Sequence, residues 1–366
     1  MPTRNNAIPT LKDIAKVAGV SRQAVAAALN FSGTGKVSEA LRKRIQKLAQ
    51  EMHYVPNMSA RRLKGNASHT IGIYGVPYAS VFSQAFFNAL SVELDRHGYN
   101  LMANYGMTIE QSYGAMRDLI AKGVDGIIVT TQYNPLAKGD FPAVPSVFCP
   151  PARIDGFDVS VDHESGMRLA VEALLAQDCR HFAYVPPYIP APASIEEQLF
   201  DRPNQEKREG IEETLADRGF QLATVTVEEF GGDANCLVER LRGLGIDAVL
   251  CSNDYFAGRL MVALLQNGVR VPEEMKVIGY DGMAFCDLCA VPLATVIQPI
   301  HQMAQEVTRI LLERIQNKSA DDAPRGVLLE PYFYPSYSCG VPNPKVSQLP
   351  MYSSFSTLEA TWDNAH

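Results

Sequence analysis

At 366 residues and 46% hydrophobic, the chain can bury large cores and should hold two or three domains. A net charge of -7 spread evenly would argue against a nucleic-acid binder, but residues 1–65 carry 12 Lys+Arg against 3 Asp+Glu, a net of +9, and the remainder is -16. A basic head on an acidic body is the footprint of a small polyanion-binding module carried by a domain that does not itself touch phosphate.

Other classes are disfavoured by what the sequence lacks. The amino terminus, Met-Pro-Thr-Arg-Asn-Asn, has no apolar signal region and no apolar run is long enough to span a bilayer, so a cytoplasmic location without a membrane partner is expected. Seven scattered cysteines point to reduced thiols, and the lone Cys286-x-x-Cys289 reads as two buried small hydrophobes. Gly72-Ile-Tyr-Gly75 is not a dinucleotide fingerprint, and no Ser/His/Asp or metal-ligand arrangement is visible. Neither catalytic residues nor a metal nor a cofactor is therefore expected. His163 and His181 read as loop and strand-edge residues.

The first predicted element starts at Thr10, an N-cap with Asp13 three residues on, and carries the apolar set Leu11, Ile14, Ala15 and Val17. Gly19 stops it, because only glycine takes the left-handed C-cap without a Cβ penalty. Ser21 then caps a second helix through Leu29. Ala15, Gly19 and Ala24 let the two helices approach, and Val20, Val25 and Leu29 bury against a third. The pattern is a helix-turn-helix, whose second helix presents its N-terminal side chains, here Arg22 and Gln23, to base edges. Arg suits guanine O6/N7 and Gln suits adenine N6/N7. After a loop rich in turn formers, Ser38 caps a third helix from Glu39 to about His53, with an apolar stripe of Leu41, Ile45, Leu48 and Met52. Arg42, Lys43, Arg44 and Lys47 cover its other face. Beyond Tyr54-Val55-Pro56, Asn57 caps a segment too short to be a stable helix alone. Its Leu63, between Arg62 and Lys64, suits a wedge between base steps in a minor groove.

The order Thr10-Leu-Lys-Asp-Ile-Ala-Lys-x-Ala-Gly-Val-Ser21, then Val25, Leu29-Asn30, Lys36-Val37-Ser38, Tyr54-x-Pro56-Asn57 and Ala60-x-x-Leu63, resembles the lac repressor (LacI/GalR) family of bacterial transcription regulators. The resemblance implies that Arg22 and Gln23 read bases, that Thr10, Ser21, Asn30, Ser38 and Asn57 contact backbone phosphate, and that Leu63 is the hinge-helix wedge. Ala27 stands where many members carry a base-reading Arg, and the loop from Asn30 to Lys36 is longer than usual, so the bases read stay open.

From Thr70 short apolar runs alternate with amphipathic helices: a strand over Ile71 to Val76, a helix over Gln84 to His97, a strand over Leu101 to Tyr105, a helix over Gln111 to Lys122 and a strand over Val124 to Thr130. The order recurs, with Gly98-Tyr99 echoed by Gly219-Phe220 and Val124-Asp125-Gly126 echoed by Ile246-Asp247-Ala248. The fold class expected is α/β, with an all-α helix-turn-helix head and hinge helix followed by two doubly wound α/β subdomains of periplasmic-binding-protein type. The boundaries expected are 1–56 for the head, 57–69 for the hinge and 70–341 for the sensor. Subdomain 1 spans about 70–165 and 295–325, subdomain 2 about 166–294 and 326–341, and 342–366 is a disordered tail without leucine heptads.

Open parallel sheets bind ligands beyond the carboxyl ends of their strands. That rule selects Phe82 after the first strand, Tyr133 after the third, Asn253-Asp254 after Val249 to Ser252, and Asp281 after Lys276 to Tyr280. The resemblance adds that Asn253 and Asp281 hydrogen-bond an effector, that Asp162 and Phe230 fall near ligand positions, and that Lys207 stands where most members have an effector-binding Arg. A point charge replaces a planar fork there, so an anionic or unusual effector stays open. The resemblance also makes Ala294 to Pro299 the crossover strand back to the first subdomain, ahead of a helix from Ile300 to Gln316; a final strand near Gly326 to Glu330 is expected to return to the second.

The expected function is that of a sequence-specific regulator, a repressor. It would act as a homodimer on a pseudo-palindromic double-stranded operator, controlled by a small molecule of carbohydrate type bound between the subdomains. The alternative is a cytoplasmic solute-binding sensor without sequence-specific DNA function. Whether the effector releases DNA or promotes binding stays open.

Overall fold

The computed structural model describes residues 9–29, 37–54, 67–75, 80–104, 109–132, 134–139, 141–187, 201–226, 233–317 and 323–342. The chain divides into two compact units, Met1–Ser68 and His69–His366.

In the first unit, α1 (Leu11–Ala18), α2 (Arg22–Ala28) and α3 (Glu39–Glu51) surround Ile14, Ala15, Ala18, Val25, Ala28, Ile45 and Ala49. Asp13 closes the first turn of α1 by accepting from the Thr10 N–H at 2.8 Å and the Thr10 hydroxyl at 2.7 Å. Gly19 takes the left-handed C-cap, φ 68. The Ser21 hydroxyl accepts from the Ala24 N–H at 3.1 Å, and that of Ser38 from the Leu41 N–H at 3.4 Å, capping α2 and α3. Val20, Leu29, Leu41 and Met52 pack against the core as the pattern predicts. Val17 does not: it is 59% exposed, and Ala18 is buried instead. The reason is angular, since positions 11, 14, 15 and 18 make one stripe at 100° per residue and position 17 lies off it.

The second unit has two α/β lobes. The first holds a parallel sheet in the order β2 (Asn100–Asn104), β1 (Thr70–Tyr74), β3 (Gly126–Val129), β4 (Ser146–Phe148). Alternate residues serve opposite faces. Ile71, Ile73 and Ile128 pack on α4 (Val81–Arg96) and α10 (Ile300–Asn317), whereas Tyr74, Ile127 and Val129 pack on α5 (Ile109–Lys122). The second lobe has a six-stranded sheet in the order β12 (Tyr332–Tyr334), β10 (Ala294–Ile297), β9 (Lys276–Asp281), β8 (Ala248–Cys251), β6 (Phe182–Val185), β7 (Leu222–Thr224), with only β12 antiparallel. One face carries α6 (His163–Leu175) and α7 (Arg202–Ala216); the other carries α8 (Ala234–Gly243) and α9 (Asp254–Gln266).

The chain passes between lobes at Asp162, at Gln298–Pro299 and at Glu330–Pro331, and this relocates two expected strands. Ala294–Ile297 pairs with β9, so it completes the second sheet, and the return to the first lobe begins after it. β11 (Val327–Leu329) pairs in parallel with β5 (Val159–Val161) and belongs with the first lobe; β12 makes the return to the second. The first crossing likewise lies at Asp162, ahead of the expected boundary at 165. The hinge segment around Asn57 and Leu63, Asn30, and the tail from 343 onward lie outside the described residues.

Candidate functional site

In the first unit the side chains expected to face DNA are placed by helix ends. Thr10, Ser21 and Ser38 are the N-cap residues of α1, α2 and α3, and Arg22 and Gln23 occupy the first turn of α2; all five are exposed. Helix N-termini carry unpaired N–H groups and a partial positive charge, which is where phosphate oxygens are accommodated. Arg42, read as part of the basic face, is half-buried and its Nη1 reaches the Ala28 carbonyl at 3.5 Å, so it ties α3 to the end of α2.

In the second unit, four of the expected effector residues cluster where β8 and β9 end and the chain first crosses. Asn253 caps α9, its Oδ1 accepting from the Phe256 N–H at 2.9 Å. Asp281 ends β9 with φ 116, a conformation strained for any side-chain-bearing residue, and accepts from Gln298 Nε2 at 2.8 Å. Lys207, on α7, donates to the Ser252 carbonyl at 2.7 Å and stands 3.8 Å from the centroid of the Tyr280 ring. Asp162 caps α6, accepting from the Ser165 N–H at 3.1 Å. Phe82 departs from the reading: it lies in the first turn of α4 rather than in a loop and stacks on Phe86, centroids 6.3 Å apart, half-buried against the first lobe's core. Tyr133 and Phe230 lie outside the described residues.

The sequence reading missed the groups beneath this cluster. His163 is buried, contrary to its assignment as a loop residue; His181 remains exposed at the start of β6. The Pro151 carbonyl, 2.7 Å from His163 Nε2, can only accept, so Nε2 carries the proton; Nδ1 then accepts from the Tyr280 hydroxyl at 2.5 Å. Burial first, then Lys207 and Arg153, push the His163 pKa down to about 3, which matches this neutral tautomer. Burial also pulls Lys207 down to about 8 against the opposing pull of Asp281, Asp254 and Glu206. Burial lifts Glu206 to about 7 despite the Arg153 N–H and the guanidiniums of Arg153 and Arg202. Burial raises both Asp254 and Asp281, Asp254 also through repulsion by Asp281. Asp254 accepts from the Met283 N–H at 2.8 Å and the Thr295 hydroxyl at 2.5 Å. The only legible sign of His163 was its place just after an N-cap at a strand end. The arrangement is a cluster rich in acceptors at the ends of β8 and β9, with one buried ammonium already committed to internal partners.

Residues 10–57 match the model of bacterial regulatory proteins of the lacI family, and residues 171–334 match a periplasmic binding protein-like domain. The HTH-type transcriptional repressor PurR of Vibrio atlanticus (strain LGP32) is 30% identical over 320 residues, covering 84% of this chain and 92% of that protein. The chain belongs to the lacI family. A ribose operon repressor of Halalkalibacterium halodurans is 27% identical over 316 residues, covering 85% of this chain and 92% of that protein. Among solved structures, the lac repressor dimer bound to operator and the anti-inducer ONPF superposes with TM-score 0.76 at 22% identity, covering 91% of this chain and 99% of that one. The regulator thus joins a DNA-binding helix-turn-helix to a periplasmic-binding-protein-like α/β sensor. Among the described residues no helix is long and apolar enough to cross a membrane.

Proposed function

We propose that this lacI-family regulator is a cytoplasmic repressor that binds a pseudo-palindromic operator as a homodimer and is controlled by a small, donor-rich effector of carbohydrate type. The observation that carries the reading is the gathering of Asn253, Asp281, Lys207 and Asp162 at one end of β8 and β9, with Lys207 donating to Ser252 and lying over Tyr280. Hydroxyl donors suit the side-chain oxygens of Asn253, Asp162 and Asp281 gathered here. The ribose operon repressors and a cellobiose-bound regulator among the similar proteins support the same class.

Arg22 and Gln23 read base edges, and Thr10, Ser21, Asn30, Ser38 and Asn57 hold backbone phosphate, with Leu63 as the minor-groove wedge. Phe82, Tyr133 and Phe230 complete the effector set on resemblance. The reading assigns no reaction to the protein. Effector binding shifts the balance between lobe arrangements, and DNA affinity follows by linkage. The test is fluorescence anisotropy with duplexes from the regulator's own promoter region at moderate salt, alone and with sugars, sugar acids and nucleobases. One preferred duplex and one neutral metabolite that changes its affinity are expected; equal binding to promoter and scrambled duplex under every condition overturns the proposal.

A further inference from the structure

The turn after β4 belongs to the first lobe: Phe148 and Cys149 are in its cores, Ile154 and Phe157 pack on them, and the Asp158 N–H returns to the Phe148 carbonyl at 2.8 Å. From this turn the protein reaches across to the second lobe. The Arg153 N–H donates to Glu206 Oε1 at 3.0 Å, its Nη2 pairs with Glu164, and its Nε lies 3.9 Å from Glu206 Oε1. Two residues earlier the Pro151 carbonyl accepts from the His163 Nε2–H at 2.7 Å. Glu164 and His163 belong to α6 and Glu206 to α7, so one short turn grips both helices.

Glu206 is fully buried, and among the described residues its Oε2 has no hydrogen-bond partner. Buried carboxylates are held only by paired cations and donors; taking one partner away leaves the remaining charge uncompensated. The cations here are Arg202 of the same helix, Nε at 3.5 Å, and Arg153 of the other lobe. Glu206 also precedes Lys207, and successive helical residues diverge by about 100°. One turn of α7 therefore offers a carboxylate to the first lobe and an ammonium to the ends of the second sheet.

We infer that Arg153 is a positioning residue of the sensor: a clasp from the first lobe that, through Glu164 and Glu206, fixes α7 with Lys207 and biases the lobes toward the arrangement seen. Arg153 touches no effector in this scheme. Its influence on DNA binding rests on the effector-coupled reading above, whereas its influence on lobe separation does not.

The experiment is hydrogen–deuterium exchange on the full-length, ligand-free protein, comparing wild type with Arg153→Ala, Arg153→Lys and Glu206→Gln. The control is Arg270→Ala, which removes an exposed ion pair with Glu274 within the turn between α9 and β9. Arg153→Ala should speed exchange about tenfold at all three crossings (159–165, 297–301, 329–333) and along 202–210, with lobe cores unchanged, as expected for a sub-global opening. The backbone N–H to Glu206 survives in every variant, so Arg153→Lys, which also keeps the charge, should restore part of that protection, and Arg270→Ala should have no effect at the crossings. If Arg153→Ala does not fold, Glu206→Gln should show the same pattern more weakly. Exchange raised only within 149–156, or lysine no better than alanine, overturns the clasp. Operator affinity of Arg153→Ala should shift about fivefold or more; faster crossing exchange with unchanged operator affinity upholds the clasp and overturns the effector-coupled reading instead.

Discussion

Asp281 combines two costs at one position. Its backbone sits at φ 116, and its carboxylate is buried beside Asp254. Strain of this kind costs about 1–3 kcal/mol and persists where a side chain is wanted for a task. Glycine at 281 relieves the backbone while losing the same carboxylate as alanine, so Asp281→Gly should be about 1 kcal/mol more stable to urea than Asp281→Ala, while both lose the effector response. Equal stability of the two variants would contradict the strain at φ 116. His163 offers a pH signature. Its folded pKa is depressed to about 3 from 6.5, so its contribution is fully present above pH 6.5 and is lost as pH falls toward 3. The raised pKa of Glu206 acts in the opposite sense, favouring the fold below about 4.5 and fading as pH climbs through 7. The informative quantity is thus a difference: from pH 6 to 4, wild type should lose up to about 1.4 kcal/mol per unit relative to His163→Gln. Parallel stability curves would contradict the buried neutral tautomer. In the head, Arg22→Ala should relax base preference by about 1 to 3 kcal/mol, read as affinity for operator against single-base variants; an equal loss on operator and scrambled DNA would remove its base-reading role.

At the scale of elements, α6 and α7 meet at Gly210, where an added Cβ would lie 2.5 Å from the Glu164 carbonyl oxygen and 2.7 Å from its Cα. Backbone cannot yield as a flexible side chain can, so Gly210→Ala should cost about 1–3 kcal/mol in urea unfolding and loosen Glu164 and Glu206 together. A loss too small to measure would mean that the helices slide apart freely. Such close approaches show what the sequence made legible and what it hid. Local rules were written plainly: Ser21 and Ser38 cap, Gly19 stops α1, and the strands of the first lobe lie within a residue or two of their apolar runs, because each depends on neighbours along the chain. Tertiary choices were not. Nothing in Val327 to Leu329 distinguishes pairing with β5 from pairing with the second sheet, since a short apolar run suits either. His163, Glu206 and Arg153 are distant in sequence, and only the folding of the 151–153 turn onto α6 and α7 makes a loop histidine into a buried donor. Lys207 stands out in the sequence as a lysine where the family resemblance implies an arginine, but its engagement with Ser252 and Tyr280 depends on three separate elements.

For the whole molecule, the split of +9 and -16 assigns DNA attraction to the head and keeps the sensor off phosphate. Operator binding should therefore weaken linearly in log salt, and each phosphate-neutralising Lys or Arg of the head replaced by Ala should reduce the slope by about 0.9. The central claim is that sensor occupancy and DNA grip are one linked equilibrium. Its most direct test takes the metabolite that most raises the thermal midpoint and measures its Kd by calorimetry, for free regulator and for regulator saturated with operator. The two values should differ by the same factor by which that metabolite changes the operator Kd. Identical values, with operator affinity indifferent to the metabolite, would contradict the account.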